Sequence, residues 1–313
     1  MTLAARAVLS LRKQGATAVT LVVDEGRQDV VDGVRAALAA RGGGVDLTVA
    51  NAQPEEATLV ERYDLVAGIP VTDATGKARA FDALFEECRK PVDGIVSRNL
   101  NRNISLFISQ RIVGFSITPN QVSVVTLALG LLAAWFVSRG GYRDVLIGAF
   151  LLQWNSILDG VDGELARVRH QGSKLGQWVD TVSDDLTNVV FWTCLGVGAR
   201  SIPGYGSILF ASGLVAAFSN ALVAIIYYVE LVRIGSGDFY DISWNLPKEA
   251  KDKPLGEKLL MVFGYVLKKD FFILFCLVLA AFGILPWALP VLALGGFGTF
   301  VAASGRAIRH ATR

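Results

Sequence analysis

An all-α integral membrane domain of six transmembrane helices, preceded by a small α/β cytosolic domain, is the fold class this 313-residue chain predicts. Three observations carry the expectation. Hydrophobic residues make up 52% of the chain at a mean hydropathy of +0.46, yet 19% are charged and these gather outside the apolar stretches, the pattern of a membrane protein with a soluble part. Six apolar runs follow one another after Asn120. Residues 1–90 instead alternate helical and strand patterns without a long apolar run, so neither a span nor a signal peptide is expected there.

The N-terminal pattern predicts a helix over Leu3 to Gln14, a strand over Ala18 to Val23, a helix over Val30 to Ala40, and strands near Val45 to Val49 and Asp64 to Ile69. Residues 91–118 intersperse Ile95, Val96, Leu100, Ile104, Phe107, Ile108 and Ile112 with Arg98, Asn99, Arg102 and Arg111. Such a basic amphipathic stretch is expected to lie at a membrane interface. Thr118, Pro119 and Asn120 then open the first span, with proline at a first helical turn.

The six spans run roughly Gln121 to Val137, Val145 to Leu158, Gln177 to Val197, Ile208 to Val229, Phe271 to Leu285, and Trp287 to Ala303. Several fall short of the roughly 20 residues a hydrocarbon core requires, so their helices must extend into polar flanks. The loops after spans one, three and five carry Arg139, Arg143 and Arg200, whereas those after spans two and four carry Arg167, Arg169, Lys174, Arg233, Lys248, Lys251, Lys253, Lys258, Lys268 and Lys269. The positive-inside rule therefore puts both termini, and the inner ends of spans two and three, in the cytoplasm. Cys88, Cys194 and Cys276 are dispersed and read as packing residues. A formal net charge of +2 says little, and no nucleic-acid partner is expected.

Chemistry concentrates between Asp159 and Asp184. An aspartate at the centre of a membrane helix costs about 2.5–3.5 kcal/mol, so several of them beside apolar spans call for a compensating partner. On helices, Asp159 and Asp162 are i,i+3 neighbours and Asp180 and Asp184 are i,i+4 neighbours, so each pair shares a face. Two facing pairs would make an oxygen cage for a hard divalent cation, and no histidine or cysteine among them suggests a softer metal. Gly163, Ala166 and Gly176 leave room for close approach by a backbone or a ligand. Arg167 offers a planar fork of donors suited to phosphate. Asp185 stands about 140° round its helix from Asp180, against about 40° for Asp184, and is left out of the cage.

The run D-x2-D-G-x2-A-R-x8-G-x3-D-x3-D, met from Asp159 to Asp184, resembles the signature of the CDP-alcohol phosphotransferases, also called CDP-alcohol phosphatidyltransferases. That resemblance implies a six-helix membrane enzyme, a homodimer among membrane lipids, that moves a substituted phosphate from a CDP-linked donor to an alcohol or phosphorylated polyol acceptor with release of CMP. It implies Mg2+ or Mn2+, two ions, held by Asp159, Asp162, Asp180 and Asp184, with Asp184 as the general base. Gly163, Ala166, Arg167 and Gly176 become nucleotide-binding candidates, and so does Asn120, since family members approach the nucleotide with a similar threonine-proline-asparagine entry to the first span. An acceptor bearing its own phosphate would need a cationic pocket, for which Arg169, Arg233, Lys268 and Lys269 are candidates.

The layout of residues 1–90 resembles, in part, members carrying a fused inositol-phosphate cytidylyltransferase. The chain starts at the helix that follows a nucleotidyltransferase's first strand and glycine-rich loop, and its only glycine cluster, Gly42 to Gly44, reads as a helix stop. A non-catalytic remnant is therefore expected. Two other functions fit parts of the pattern: an Mg2+-dependent intramembrane prenyltransferase, whose aspartate motifs lie on well-separated helices without this glycine, alanine and arginine frame, and a cation transporter, which calls for midplane carboxylates and an internal repeat.

Overall fold

The computed structural model describes residues 3–22, 28–40, 45–50, 65–66, 69–71, 73–90, 93–236, 242 and 269–311. Lys268, Gly42 to Gly44 and the loop lysines 248 to 258 lie outside them. The chain divides into two compact units, residues 1–90 with 166–171, and residues 91–165 with 172–313.

In the first unit, α1 (Leu3–Lys13) and α2 (Gln28–Ala39) pack with a parallel pair of strands, β1 (Ala18–Val22) and β2 (Asp46–Ala50), in register from Ala18 opposite Asp46 to Val22 opposite Ala50. Apolar residues at helical spacing, Val8 and Leu11 on α1 and Val30, Val34 and Leu38 on α2, meet Val19 and Leu21 of β1 in one core. Full burial of each such side chain is worth about 1.5–3 kcal/mol. The strand expected over Asp64 to Ile69 is instead two dipeptides, β3 (Leu65–Val66) and β4 (Ile69–Pro70), paired antiparallel with each other. A further helix, α3 (Ala74–Glu86), follows them, opened by Asp73, whose carboxylate accepts from the Gly76 N–H at 2.6 Å.

Every regular element described in the second unit is helical. A π-helical turn (Ser97–Asn101) runs into α4 (Arg102–Ile112), followed by α5 (Pro119–Ser138), α6 (Tyr142–Val168), α7 (Lys174–Ala199), α8 (Gly206–Ile234), α9 (Lys269–Ala281), a 3-10 turn (Leu285–Ala288) and α10 (Leu289–Ala311). Thr118 caps α5 in a reciprocal capping box with Gln121, and Pro119 occupies the first turn, where its missing N–H costs nothing. One apolar core joins six helices through Ala133 and Val137, Ala149 and Leu152, Phe191 and Leu195, Leu209, Ile273 and Cys276, and Leu289. Helices α7 and α8 cross where a Cβ on Gly213 would stand 2.9 Å from the Gly196 Cα, so the contact requires glycine at Gly213 and is tight at Gly196.

Three stretches, Pro119–Ser138, Gly206–Ile234 and Leu285–Arg309, are long and apolar enough to cross a membrane. Their outward residues include Val124, Val125, Phe218, Val232 and Leu294, a greasy exterior that marks a membrane protein. The stretches expected as spans two and three fall within α6 and α7, which enter the acidic run from either side and stop at Val168 and start at Lys174. The fifth was expected to reach Leu285, but α9 ends at Ala281, because Gly283 takes a left-handed φ of 71° and Leu285–Ala288 forms a separate 3-10 turn.

The stretch ahead of α5 has polar and apolar residues on both its buried and its exposed sides, Val96 and Leu106 being buried and Arg98 and Asn103 exposed. Its exposed side chains include Ile95, Leu100 and Phe107, while Asn101, Arg102, Ser105 and Ser109 are buried. Arg102, placed above on the basic side of an amphipathic stretch, is therefore an interior residue.

Candidate active site

The acidic run spans the last turns of α6 and the first turns of α7. Helix α6 stops just past Arg167 in a Schellman arrangement: Gln171 N donates to Ala166 O at 2.8 Å and His170 N to Arg167 O at 3.3 Å, with His170 at φ 51° where glycine is usual. Helix α7 starts two residues later, with Ser173 accepting from the Gly176 N–H at 3.0 Å. Gly176 is thus the third residue of α7, and a Cβ there would stand 3.2 Å from Asn120 Oδ1. Asn120 and Gly176, candidates far apart in sequence, are brought together.

Asp159, Asp180 and Asp184 line one cleft, with Ser123 and Thr126 of α5, Asn155 of α6 and Thr187 of α7 among its other walls. Lys269, at the start of α9, forms an ion pair with Asp184, and its charge also acts on Asp159 and Asp180. Asp162 is buried beside the cleft, where Ser123 Oγ donates to its Oδ2 and Gly163 N to its Oδ1, both at 2.5 Å. Each carboxylate oxygen carries two lone pairs, so these contacts orient Asp162 without exhausting it. Asp185 turns away from the cleft and accepts from the Tyr228 hydroxyl on α8.

The remaining candidates scatter. Ala166 and Arg167 occupy the final turn of α6, and Arg167 Nη2 reaches the Cys88 carbonyl at 3.4 Å. Arg169 follows at the helix stop. Arg233 pairs with Glu230 on its own helix at 3.3 Å and is not among the cleft-lining residues. Lys268 lies outside the described residues.

Sequence reasoning missed a second polar centre behind the first. Glu164, inside the acidic run, is fully buried and bound by Arg102, Ser105 and Ser109 of α4. Burial alone would lower the pKa of Arg102, but hydrogen bonding and charge from Asp93, with those of Glu164, outweigh it and raise it above the ordinary value. The signal was present as a polar stripe, residues 102, 105 and 109, on an otherwise apolar segment. The hydroxyls of Ser123 and Thr126 carry no comparable signature in a span whose outer side is apolar.

The four aspartates supply only anionic oxygen donors, which suit Mg2+ or Mn2+. Among the described residues no three acidic, histidine or cysteine side chains stand at the spacing of an assembled coordination sphere.

Long apolar helices with a carboxylate-lined cleft, the Lys269 ammonium set against it, define a helical membrane protein. The chain belongs to the CDP-alcohol phosphatidyltransferase family, whose model matches residues 116–292, more than half of its length. It is 42% identical over 105 residues to a bifunctional IPC transferase and DIPP synthase from Aquifex aeolicus (strain VF5), covering 34% of this chain and 23% of that protein. A protein of the same description from Thermococcus kodakarensis is 40% identical over 111 residues, 36% of this chain and 24% of the relative. An archaetidylinositol phosphate synthase from Pyrococcus horikoshii is 29% identical over 91 residues, 28% of this chain and 47% of the relative. The matched region is thus about a quarter of the length of the first two relatives and less than half of the third. Among solved structures, phosphatidylinositol phosphate synthase of Mycobacterium tuberculosis, crystallised with CDP-DAG bound, aligns with a TM-score of 0.43 at 17% identity, over 66% of this chain and 91% of that one.

Proposed function

We propose that this protein transfers a substituted phosphate group from a CDP-linked donor to an alcohol acceptor, releasing CMP, in the synthesis of a phospholipid or polyol-phosphate lipid. One observation carries the reading: Asp159, Asp180 and Asp184, from the two halves of the family signature, line a single cleft. In the reaction the acceptor hydroxyl oxygen bonds to the β-phosphorus of the donor, the bond from that phosphorus to the bridging oxygen breaks, and CMP departs with the bridging oxygen. Asp184 takes the acceptor proton as general base. Asp159, Asp162, Asp180 and Asp184 would hold Mg2+ or Mn2+, two ions, which when bound neutralise charge on the diphosphate.

The chain's own residues do the rest. Gly163, Ala166 and Gly176 leave room for the donor's nucleotide, and Arg167 and Asn120 supply donors to it. Lys269, already set against Asp184, is the best-placed of the cationic candidates for a phosphate on the acceptor, ahead of Arg169, Arg233 and Lys268. A phosphorylated inositol is the first acceptor to try, because three relatives bear inositol-lipid or DIPP synthase names. The proposal includes six spans, both termini and the cleft at the cytoplasmic face, residues 91–118 at the interface, and a homodimer, with residues 1–90 as a nucleotidyltransferase-like α/β domain. The test is an Mg2+-dependent CMP-release assay of purified protein across CDP-diacylglycerol and CDP-polyol donors and a panel of alcohol acceptors. Activity with at least one pair is expected; no CMP from any pair overturns the reading.

A further inference from the structure

Glu164 sits inside the family signature but on the wrong side of its helix for the cleft. At about 100° per residue it stands about 140° from Asp159 and about 160° from Asp162. Its carboxylate is 0% exposed, and three donors from one face of α4 reach it: Arg102 Nη1 at 2.8 Å and Ser105 Oγ at 2.7 Å to Oε1, and Ser109 Oγ at 2.6 Å to Oε2. Arg102 is held in turn by Asp93, through Nε at 2.9 Å and Nη2 at 3.2 Å. Gly160 permits the approach, since a Cβ there would stand 3.0 Å from Arg102 Nη1 and 3.2 Å from Ser105 Oγ.

The same segment is tied at a second point. Asp270 accepts from the Ser97 N–H at 2.6 Å, and its neighbour Lys269 is the residue paired with Asp184. One stretch of chain therefore braces both helices that send charged groups to the cleft from outside α7. A buried ion pair seldom adds stability over well-packed apolar side chains, and its best-attested use is to fix register. Here it fixes the rotation of α6 about its own axis, because the donors address a single carboxylate.

We propose that Glu164 is a positioning residue: clamped by Arg102, Ser105 and Ser109, it holds α6 at the rotation that presents Asp159 and Asp162 to a divalent cation. Such sites work within about 10–20° of their productive geometry. The inference rests on the proposed reading of the aspartates as the cation site.

The test uses the full chain in lipid nanodiscs, with Glu164→Gln, the double variant Ser105→Ala/Ser109→Ala, and Asp159→Asn as reference. Two quantities are read for each: the Mg2+ concentration for half-maximal CMP release, with kcat and donor KM, and the rise in melting temperature caused by Mg2+ without substrate. Glu164→Gln and the serine pair should require at least about tenfold more Mg2+, keep donor KM within about twofold, and lose most of the Mg2+-induced rise. A lower melting temperature with wild-type Mg2+ requirement overturns the inference, because the clamp then only binds helices together. Should Glu164→Gln fail to fold, the serine pair decides, since it keeps the ion pair; collapse of both also counts against positioning. Asp159→Asn separates the two levels. If it keeps wild-type Mg2+ dependence, the cation-site reading itself falls, whereas its loss beside an unaffected Glu164→Gln removes only the positioning role.

Discussion

Tyr228 on α8 donates its hydroxyl to Asp185 Oδ2 at 2.7 Å, one residue beyond Asp184, which lines the cleft. Neighbouring aspartates thus face different helices, and one substitution in each should separate their roles. Asp184→Asn removes the proposed proton acceptor and should lower CMP release by about 10²–10⁴-fold, with the protein still folded. Asp185→Asn keeps a hydrogen-bond acceptor for Tyr228 and should stay within about tenfold of wild type. Steady-state CMP release of the two variants checks the contrast, and equal losses would contradict it.

Lys269 should matter to the acceptor more than to the donor. Its ammonium faces the carboxylates of the cleft, and a hydrogen bond to a charged group is worth about 1.5–3 kcal/mol. Lys269→Met is therefore expected to raise KM for a phosphorylated acceptor by about 10–100-fold while leaving donor KM near wild type. Initial rates with each substrate varied in turn decide it.

Chelation should silence the enzyme reversibly. With four carboxylates as the cation's only assigned protein ligands, EDTA is expected to abolish CMP release, and excess Mg2+ or Mn2+ to restore it. Zn2+ should restore little, because the donor set holds no nitrogen or sulfur. Full activity in EDTA would oppose the assignment.

The crossing of α7 and α8 leaves no space for a methyl group. A Cβ on Gly213 would stand 2.9 Å from both the Gly196 Cα and the Trp192 carbonyl oxygen, backbone atoms that move only with their helix. Gly213→Ala should destabilise the protein by about 1–3 kcal/mol. Thermal unfolding in detergent should show a lower melting temperature for this variant than for Gly172→Ala, whose Cβ meets nothing within 4 Å.

Periodic patterns made much of the architecture legible. Alternation at Val19 and Leu21 and helical spacing at Val30, Val34 and Leu38 place β1 and α2 within about two residues of their observed ends. The four aspartates are legible for a different reason, since uncompensated charge beside apolar spans is costly and therefore conspicuous. Two features escaped. Helix α3 has a sequence signal, the capping Asp73 ahead of Ala80, Leu84 and Phe85, but it follows a strand pattern that the chain breaks into two dipeptides. The clamp on Glu164 escaped because helical amphipathicity in water points apolar residues inward, whereas here Phe107 is exposed and Ser105 and Ser109 are buried.

The eight residues between Arg167 and Gly176 are filled by two helix caps, the left-handed His170 closing α6 and Ser173 opening α7. Their number is thus a mechanical tolerance, because one residue fewer would delete a cap and one more would add slack between the carriers of the two aspartate pairs. Length variants of this joint would behave like a misassembled hinge pin: each helix sound, the acids present, and the pairs out of alignment.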